Sequence, residues 1–168
     1  TVMLRADADA AIGEAFPLKI RGTAEIAAKT VSKRANPADT LQFVSVVAPA
    51  DILITTDKRE VVLEPGQDAK ITVSVTRKNG FGGRVPVEVL NLPPPTDTPE
   101  VGLNSILITE EKDSRTFSIR ALPGAKPIEQ LIYVSGIVET RSSQPTAFTA
   151  EPIVLKIIEK SSGGAGGE

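Results

Sequence analysis

Acidic side chains are the main candidates for chemistry in this 168-residue chain, because it contains no histidine and no cysteine. Tetrahedral zinc sites, thiolate nucleophiles and serine–histidine pairs each require one of those two residue types. The sequence therefore excludes these three kinds of site. Pairs or clusters of carboxylates remain for catalysis or for metal binding.

Asp7, Asp9 and Glu14 form the best candidate metal site, since oxygen ligands at short spacing suit Ca²⁺. The segment nevertheless lacks the glycine and the terminal bidentate acid of an EF-hand loop. A similar segment later in the chain, Leu122–Lys126, has no acid at the matching positions. We therefore predict a solvated loop here and no metal site.

Two acidic pairs are weaker candidates. Asp97 and Glu100 lie beside a proline run. Glu110 and Glu111 are adjacent at the end of a predicted strand, where neighbouring side chains point to opposite faces and could not share one substrate. A charged hairpin end explains this second pair. We predict that the protein is not an enzyme and has no catalytic, cofactor-binding or metal-binding residues and no cofactor.

The loop Arg77–Arg84 combines three cations with one aromatic side chain, Phe81, which could hold an acidic polysaccharide by charge and stacking. We favour the alternative, in which Phe81 folds back over one end of the fold and the glycines serve the turn. A flat sugar-binding platform usually presents Trp or Tyr, and the chain has no Trp and one Tyr. Phe16, Phe117 and Tyr133 lie on predicted strands, where we expect core packing.

Apolar and polar residues alternate along most of the chain, which is typical of half-buried β-strands. In segment 69–76 we expect Val73 to face the core and Thr72 to face solvent, so Val73→Asp should unfold the module and Thr72→Asp should be tolerated. The Asn79-Gly80 turn predicts an antiparallel hairpin between this strand and the one at 85–89. Further strands are predicted at 52–56, 60–64, 105–109, 116–121, 130–138 and 151–158. No segment has sustained helical periodicity, so the sequence predicts an all-β, immunoglobulin-like antiparallel β-sandwich.

An internal repeat predicts the domain boundary. Leu4-Arg5-Ala6 precedes a predicted strand with Gly22, as Ile119-Arg120-Ala121 precedes one with Gly136. Strand-rich sequence precedes the second copy but not the first, which indicates a tandem array. We predict three parts: 1–48, the C-terminal strands of a truncated upstream immunoglobulin-like repeat; 49–160, a complete sandwich; and 161–168, a flexible Gly/Ser tail.

The strings VVLEPGQDAKITVSVTRKNGFGGRVPVEVLNLPPP and VGLNSILITEEKDSRTFSIRALPGAKPIEQLIYVSGI carry a family resemblance. They resemble the immunoglobulin-like repeats of large secreted bacterial proteins, especially planctomycete proteins with pre-peptidase C-terminal domains. A looser likeness is to the NEW3-type domains attached to glycosidases. The resemblance covers roughly 50–158, and residues 1–48 are similar to the end of such a repeat. It implies an extracytoplasmic sandwich (secreted, periplasmic or on the cell surface) and transfers no functional residues.

Two functions stay open on this basis. The first is a structural, spacer or adhesion module of a multidomain secreted or cell-surface protein, with neighbouring immunoglobulin-like domains as partners. The second is an accessory glycan- or protein-binding module attached to a secreted hydrolase. The net charge is −2, and acidic and basic residues are mixed along the chain, so we expect no basic patch that would bind nucleic acid. No apolar run is long enough for membrane insertion. Because the chain starts TVMLRADADA, without an initiator Met or a signal peptide, we expect a piece of a longer protein.

Residues 1–48 are expected to hold about three strands: Val2–Ala6, Phe16–Ala24 and one within Thr30–Val47. Strands without an opposing sheet expose an apolar face and unpaired edge amides, which is marginal in water. The segment could lie against 52–159, pair with another copy of itself, or take strands from the upstream chain. We expect the last in the full protein, and self-association or poor order of residues 1–48 in the isolated chain.

Overall fold

The computed structural model describes residues 4–7, 9–13, 15–36, 43–46, 50–98, 106–139 and 146–160. These residues form strands, turns and irregular segments without any helix, so the described part of the chain also lacks a helix that could cross a membrane. The strands are β1 Phe16–Pro17, β2 Arg21–Ile26, β3 Lys29–Arg34, β4 Phe43–Val44, β5 Ile52–Thr56, β6 Glu60–Leu63, β7 Asp68–Arg77, β8 Val85–Leu90, β9 Thr96–Asp97, β10 Ile106–Ile108, β11 Ser114–Ala121, β12 Ile128–Val138, β13 Thr146–Thr149 and β14 Ile153–Ile157.

The chain divides into two compact units, an N-terminal unit over Val2–Pro49 and a C-terminal unit that begins at Ala50. The described residues of the C-terminal unit form two sheets. The four-stranded sheet has the order β5-β7-β11-β9, and the six-stranded sheet has the order β10-β8-β12-β14-β6, with β13 also paired to β12. Buried aliphatic side chains from both sheets form one core. The prediction of an all-β sandwich is confirmed, and the division of its strands is of the immunoglobulin type.

Alternation along β7 follows the predicted register. Ile71, Val73 and Val75 are buried in the core, whereas Thr72 and Ser74 lie on the opposite face and are only partly covered. Because successive side chains of a strand point to opposite faces, this alternation alone fixes which side of β7 faces the core.

The hairpin predicted across Asn79-Gly80 is wrong. β7 pairs with β5 and β11 in the four-stranded sheet, whereas β8 pairs with β10 and β12 in the six-stranded sheet. Asn79 and Gly80 do adopt positive φ values of 53° and 76°, so the local turn forms as expected. The loop then continues through Gly82 and Gly83, and this extra length carries the chain to the other sheet.

Segment 52–63 contributes one strand to each sheet. β5 pairs antiparallel with β7, and the chain then crosses over so that β6 pairs with β14 in parallel. Asp57 fixes the crossing point, because its backbone amide donates to the Thr72 carbonyl at 3.0 Å and its carboxylate accepts from the Thr72 amide at 2.8 Å. The β6–β14 ladder is the one parallel pairing between described strands, in a sandwich predicted to be antiparallel.

Gly136 on β12 marks a close approach between the two sheets. A Cβ atom built there would lie 2.9 Å from Ile54 Cγ1, 2.9 Å from Val85 Cγ1 and closer still to Ile54 Cδ1. Ile54 and Val85 are both buried, so neither has free space to move into. The absence of a side chain at Gly136 therefore allows Ile54 of the opposite sheet to pack against β12.

We expect Gly136→Ala to destabilise the C-terminal unit by about 1–3 kcal/mol through overpacking. Urea denaturation of the full chain would measure the change. Gly82→Ala is the matched control, since a Cβ at Gly82 meets no atom within 4 Å. Combining Gly136→Ala with Ile54→Val should cost less than the sum of the two single changes, because valine lacks the Cδ1 atom that clashes. Strict additivity would contradict the close-approach explanation.

The described residues of the N-terminal unit form two small ladders. β1 pairs with β4 through Phe16↔Val44 and Pro17↔Phe43, and β2 pairs with β3 over six residues each. The predicted strand at Phe16–Ala24 is interrupted between β1 and β2, unlike β12, which runs unbroken through the matching segment. The described part of the predicted strand Val2–Ala6 is irregular. We call β2 and β3 together the N-terminal hairpin.

The turn of the N-terminal hairpin consists of Ala27 and Ala28, which have φ values of 49° and 58°. Two positive φ values define the turn type that favours Asn-Gly, and each costs an L-residue such as alanine roughly 1–2 kcal/mol. We expect the double substitution Ala27→Asn and Ala28→Gly to stabilise the hairpin by about 1 kcal/mol, seen by NMR as a larger population of cross-strand contacts between Thr23 and Ser32. Ala27→Val should reduce that population, and an unchanged population in both variants would contradict the turn geometry.

Candidate interaction surfaces

The outer face of the four-stranded sheet is mainly polar, although Leu53 on β5 lies on it and is 47% exposed. On β7 and β11, the Thr72 and Thr116 hydroxyls lie opposite each other and share a hydrogen bond of 3.0 Å. The same face continues with the pairs Ser74–Ser114 and Lys70–Ser118. This is the composition of a sheet face that stays in contact with water.

The outer face of the six-stranded sheet is mainly apolar in its centre. Leu90 on β8 lies opposite Tyr133 on β12, and Leu131 on β12 lies opposite Val154 on β14. Leu90 is 40% exposed, Leu131 is 44% exposed and Val62 on β6 is 47% exposed, so large apolar side chains reach the surface here. We call these five residues, Val62, Leu90, Leu131, Tyr133 and Val154, the apolar outer face.

Charged residues surround this face. The Lys156 ammonium contacts the carboxylates of Glu60 at 2.8 Å and Glu129 at 3.5 Å. The hydrogen bond to Glu60, followed by the negative charges of Glu60 and Glu129, raises the pKa of Lys156. Glu88 lies on β8, directly opposite Ser135 of β12. The face thus carries both signs of charge around an apolar centre.

The sequence analysis did not identify this surface, although a signal for it is present. The segment LIYVSGIV, residues 131–138, is apolar at nearly every position and does not alternate. Such a run is typical of strands that are buried on both faces. Core packing was predicted for Phe16, Phe117 and Tyr133. Phe117 and Tyr133 are buried, and Phe117 belongs to the cluster between the sheets, whereas Tyr133 is buried on the outer side of β12.

The N-terminal hairpin presents a partly apolar surface, in which Ile26 and Val31 lie beside Lys29 and Lys33. Ala24, Ile26 and Val31 share one face, because the register pairs Ala24 with Val31 and Ile26 with Lys29. All residues of both strands are exposed, including Ile26 at 61%. Phe16 of β1 is also exposed, so the prediction that it packs in a core is wrong. No buried residue is found in the described part of this unit, which leaves its aromatic ring without a core to enter.

Arg77 holds together one end of the C-terminal unit. Its guanidinium donates to the carbonyls of Gly83 at 3.0 Å, Lys112 at 2.9 Å and Thr109 at 2.8 Å, and to the Asp113 carboxylate at 2.9 Å. An open depression of about 510 Å³ lies beside it, lined by Ser74, Val75, Thr76, Arg77, Asp113 and Ser114. Because the guanidinium already has four acceptors, its role is to join two loops.

The loop Arg77–Arg84 packs as favoured in the sequence analysis. Phe81 is partly buried against the core, and its ring lies over Gly83, where a Cβ would come within 2.9 Å of Phe81 Cζ. Arg84 donates twice to Glu139, at 3.1 Å and 3.0 Å. Two of the three cations considered for an acidic polysaccharide are therefore engaged with groups of this chain.

The acidic candidates form no cluster of three among the described residues. Asp7 and Asp9 lie in an irregular segment, where the Ala10 amide donates to the Asp7 carbonyl at 3.0 Å, and Glu14 is outside the described residues. Asp97 forms the end of β9, and Glu100 is also outside them. Within the described ranges, no group of three acidic side chains could hold a metal ion.

Glu110 and Glu111 lie in the turn between β10 and β11. Hydrogen bonds from the backbone amide of Glu111 and from the Thr109 side chain lower the pKa of the Glu111 carboxyl, and both groups favour its ionised form. A carboxyl whose pKa is lowered is poorly suited to donate a proton at neutral pH. The position of Glu110 and Glu111 in this turn agrees with the charged hairpin end that was predicted for them.

The fold and these surfaces define the chain as a β-sandwich protein with apolar surfaces on both units. No protein-family model and no curated protein match the sequence. Among solved structures, domains 4 and 5 of the S-layer protein SbsC are similar over 84% of this chain, with 12% identity and a TM-score of 0.41. The chain spans just under two thirds, 66%, of that structure's length.

A second similar structure concerns T cell specificity and activation by the bacterial superantigen toxic shock syndrome toxin-1. It matches 64% of this chain and 99% of its own, with 13% identity and a TM-score of 0.37. At these TM-scores neither likeness bears on function.

Proposed function

We propose that the chain is a non-catalytic structural, spacer or adhesion module of a multidomain bacterial protein that is secreted or displayed on the cell surface. The observation that carries this proposal is the uncovered face of the N-terminal hairpin, on which Ile26 and Val31 are exposed. In the internal repeat, Gly22 of the hairpin matches Gly136 of β12. Gly22 lies on the same face as Ala24, Ile26 and Val31.

The two matched glycines have different surroundings. Ile54 of the opposite sheet packs against Gly136, whereas a Cβ at Gly22 would meet no atom within 4 Å. The hairpin therefore exposes Ala24, Ile26 and Val31 beside Lys29 and Lys33 on one face, and no sheet of its own unit covers that face. This supports an assignment of residues 1–48 to a neighbouring immunoglobulin-like domain and of the chain to a tandem array. The resemblance of 50–158 to secreted bacterial repeats supports the extracytoplasmic location.

Hydrogen exchange of the hairpin amides tests this proposal. In chain 1–168 we expect the amides of β2 and β3 to exchange rapidly, because an isolated hairpin is marginally stable. In the parent protein, with its neighbouring domain present, they should be strongly protected. Strong protection in a strictly monomeric 1–168 would instead show that residues 1–48 are an integral part of one larger domain.

A glycan array tests the alternative function, an accessory glycan-binding module attached to a secreted hydrolase. A spacer module should bind no glycan above background, since neither unit presents a described platform of Tyr or Trp side chains to solvent. Specific binding of the full chain to one glycan class would support the accessory module of a secreted hydrolase and overturn the spacer function.

A further inference from the structure

The turn after β7 places an asparagine directly before a glycine, at Asn79 and Gly80. Both residues are exposed, and their φ values are 53° and 76°. The Phe81 amide donates to the Lys78 carbonyl at 2.9 Å and closes the turn. A Cβ atom built at Gly80 would meet no atom within 4 Å, so the space around this backbone is open. The turn therefore leaves room for a reaction between the Asn79 side chain and the backbone that follows it.

An asparagine side chain can lose its amide group to the next backbone nitrogen. This nitrogen gives up its proton and attacks the side-chain Cγ atom, and the new bond closes an unstrained succinimide ring. The Cγ–Nδ2 bond then breaks, and the departing amide takes up a proton and leaves as ammonia. Water adds to either ring carbonyl and yields aspartate or isoaspartate. Because both reacting groups belong to neighbouring residues, the attack is intramolecular and needs no reactant besides water.

A glycine at the second position favours ring closure, because no Cβ atom hinders the approach of its nitrogen. Asn91 provides a comparison within the same chain. It also has a positive φ, 64°, but Leu92 follows it, and its side-chain amide donates to a carbonyl of β12 at 2.7 Å. The Asn79 amide has longer contacts, at 3.3 Å to the Asp51 carboxylate and 3.5 Å to the Ala50 carbonyl. The following residue, the exposure and these distances all favour reaction at Asn79.

We propose that Asn79 is a site of spontaneous deamidation in the folded protein. Attack by the Gly80 nitrogen converts Asn79 into a succinimide and then into aspartate or isoaspartate. The other asparagines of the chain are followed by proline, leucine and serine, at Asn36, Asn91 and Asn104. A proline nitrogen has no proton to lose, and the side chains of leucine and serine hinder the attack. The modification is therefore selective for one position.

The reaction alters the segment that begins the C-terminal unit. The Asn79 side-chain amide donates to the Asp51 carboxylate, and the Lys78 backbone amide donates to the Asp51 carbonyl at 2.7 Å. Deamidation replaces the donor at Asn79 by a second carboxylate, so an attraction becomes a repulsion between like charges. An isoaspartate also adds a carbon atom to the backbone within the turn that the Phe81 amide closes. Both products loosen the backbone directly before β5.

Ageing of the full chain in native buffer tests the modification. Anion-exchange chromatography separates the form with one additional negative charge, and peptide mapping by mass spectrometry locates the change. We expect this form to accumulate more than about tenfold faster at about pH 8 than at about pH 6, because the attacking nitrogen must lose its proton. Asn79 should convert more than about tenfold faster than Asn91, because only Asn79 precedes a glycine.

Asn79→Gln is the matched control, because it keeps the amide but lengthens the side chain, and a larger ring closes more slowly. It should remove most of the acidic form. Equal accumulation in Asn79→Gln would overturn the assignment. Conversion of Asn79 only after unfolding in guanidinium chloride would also overturn it, because the folded turn would then protect this residue. An absence of conversion in both states would have the same meaning.

Hydrogen exchange of the purified acidic form tests the structural consequence. We expect the amides of Lys78 and Phe81 to exchange at least about fivefold faster than in the fresh protein, since both donate hydrogen bonds at this turn. The Asp57 amide, which donates to the Thr72 carbonyl just beyond the other end of β5, is the control and should not change. Unchanged exchange of Lys78 and Phe81 would show that the modification leaves the turn intact and would overturn the loosening.

This modification involves the C-terminal unit alone and does not depend on the function proposed above. That function is tested by hydrogen exchange of β2 and β3 in the N-terminal hairpin, a different set of amides. A failure of either proposal is therefore distinguishable from a failure of the other.

Discussion

Val73→Asp should abolish the cooperative unfolding transition of the C-terminal unit. Val73 is fully buried on β7 and packs in the core between the two sheets. An ionised carboxylate without a partner costs several kcal/mol in such a site, and the whole stability of a domain is only about 5–15 kcal/mol. We expect loss of the thermal melt followed by circular dichroism, with increased binding of a hydrophobic dye.

Thr76→Asp is the matched control, because Thr76 lies on the same strand but is exposed. We expect its free energy of unfolding to change by no more than about 0.5 kcal/mol. Thr72→Asp should also fold, although it loses the hydrogen bond to Thr116 and brings a second carboxylate near Asp57. If Val73→Asp and Thr76→Asp melted alike, the register of β7 would be wrong.

Arg77→Ala should destabilise the C-terminal unit by about 2–4 kcal/mol. The side chain is only 12% exposed, and it supplies donors to the carbonyls of Gly83, Lys112 and Thr109. Removing it leaves carbonyl groups without their donor, and each such group costs about 1–3 kcal/mol where water cannot replace the bond. Urea denaturation of the full chain would measure the loss.

Asp113→Ala separates the ion pair from the carbonyl contacts. The Asp113 side chain is 87% exposed, so its pairing with Arg77 is screened by solvent and should be worth less than about 1 kcal/mol. Arg77→Lys keeps the positive charge but loses the planar fork, and we expect most of the stability loss to remain. An effect of Asp113→Ala as large as that of Arg77→Ala would show that the ion pair dominates.

The strands of the C-terminal unit could be predicted from the sequence because their signal is local. Alternation over segment 69–76 predicts β7 and its buried side correctly, because every second residue of a strand faces the core and is apolar here. The partners of β7 could not be predicted in the same way, and its predicted pairing with β8 is wrong. An Asn-Gly turn fixes the backbone of two residues, but the partner of each strand depends on the length of the loop and on contacts with distant strands.

The candidate surfaces were harder to predict for a related reason. Arg77 was considered only as one of three loop cations, and its acceptors at Thr109 and Lys112 lie more than thirty residues away in sequence. Phe16 has the residue type of a core aromatic, but its unit provides no buried position for it among the described residues. Residue type predicts a preference for burial, and only the assembled neighbours decide whether that burial occurs.

The parallel pairing of β6 with β14 has a consequence for a chain under tension. These strands lie near the beginning and the end of the C-terminal unit, and they are joined in register over four residue pairs. When the two ends are pulled apart, parallel terminal strands must slide along each other, so the hydrogen bonds of the ladder carry the load together. An antiparallel terminal hairpin would instead open one bond at a time. A unit pulled at its two ends would therefore load this ladder in shear, and it would unfold at a rate that depends on its unfolding barrier.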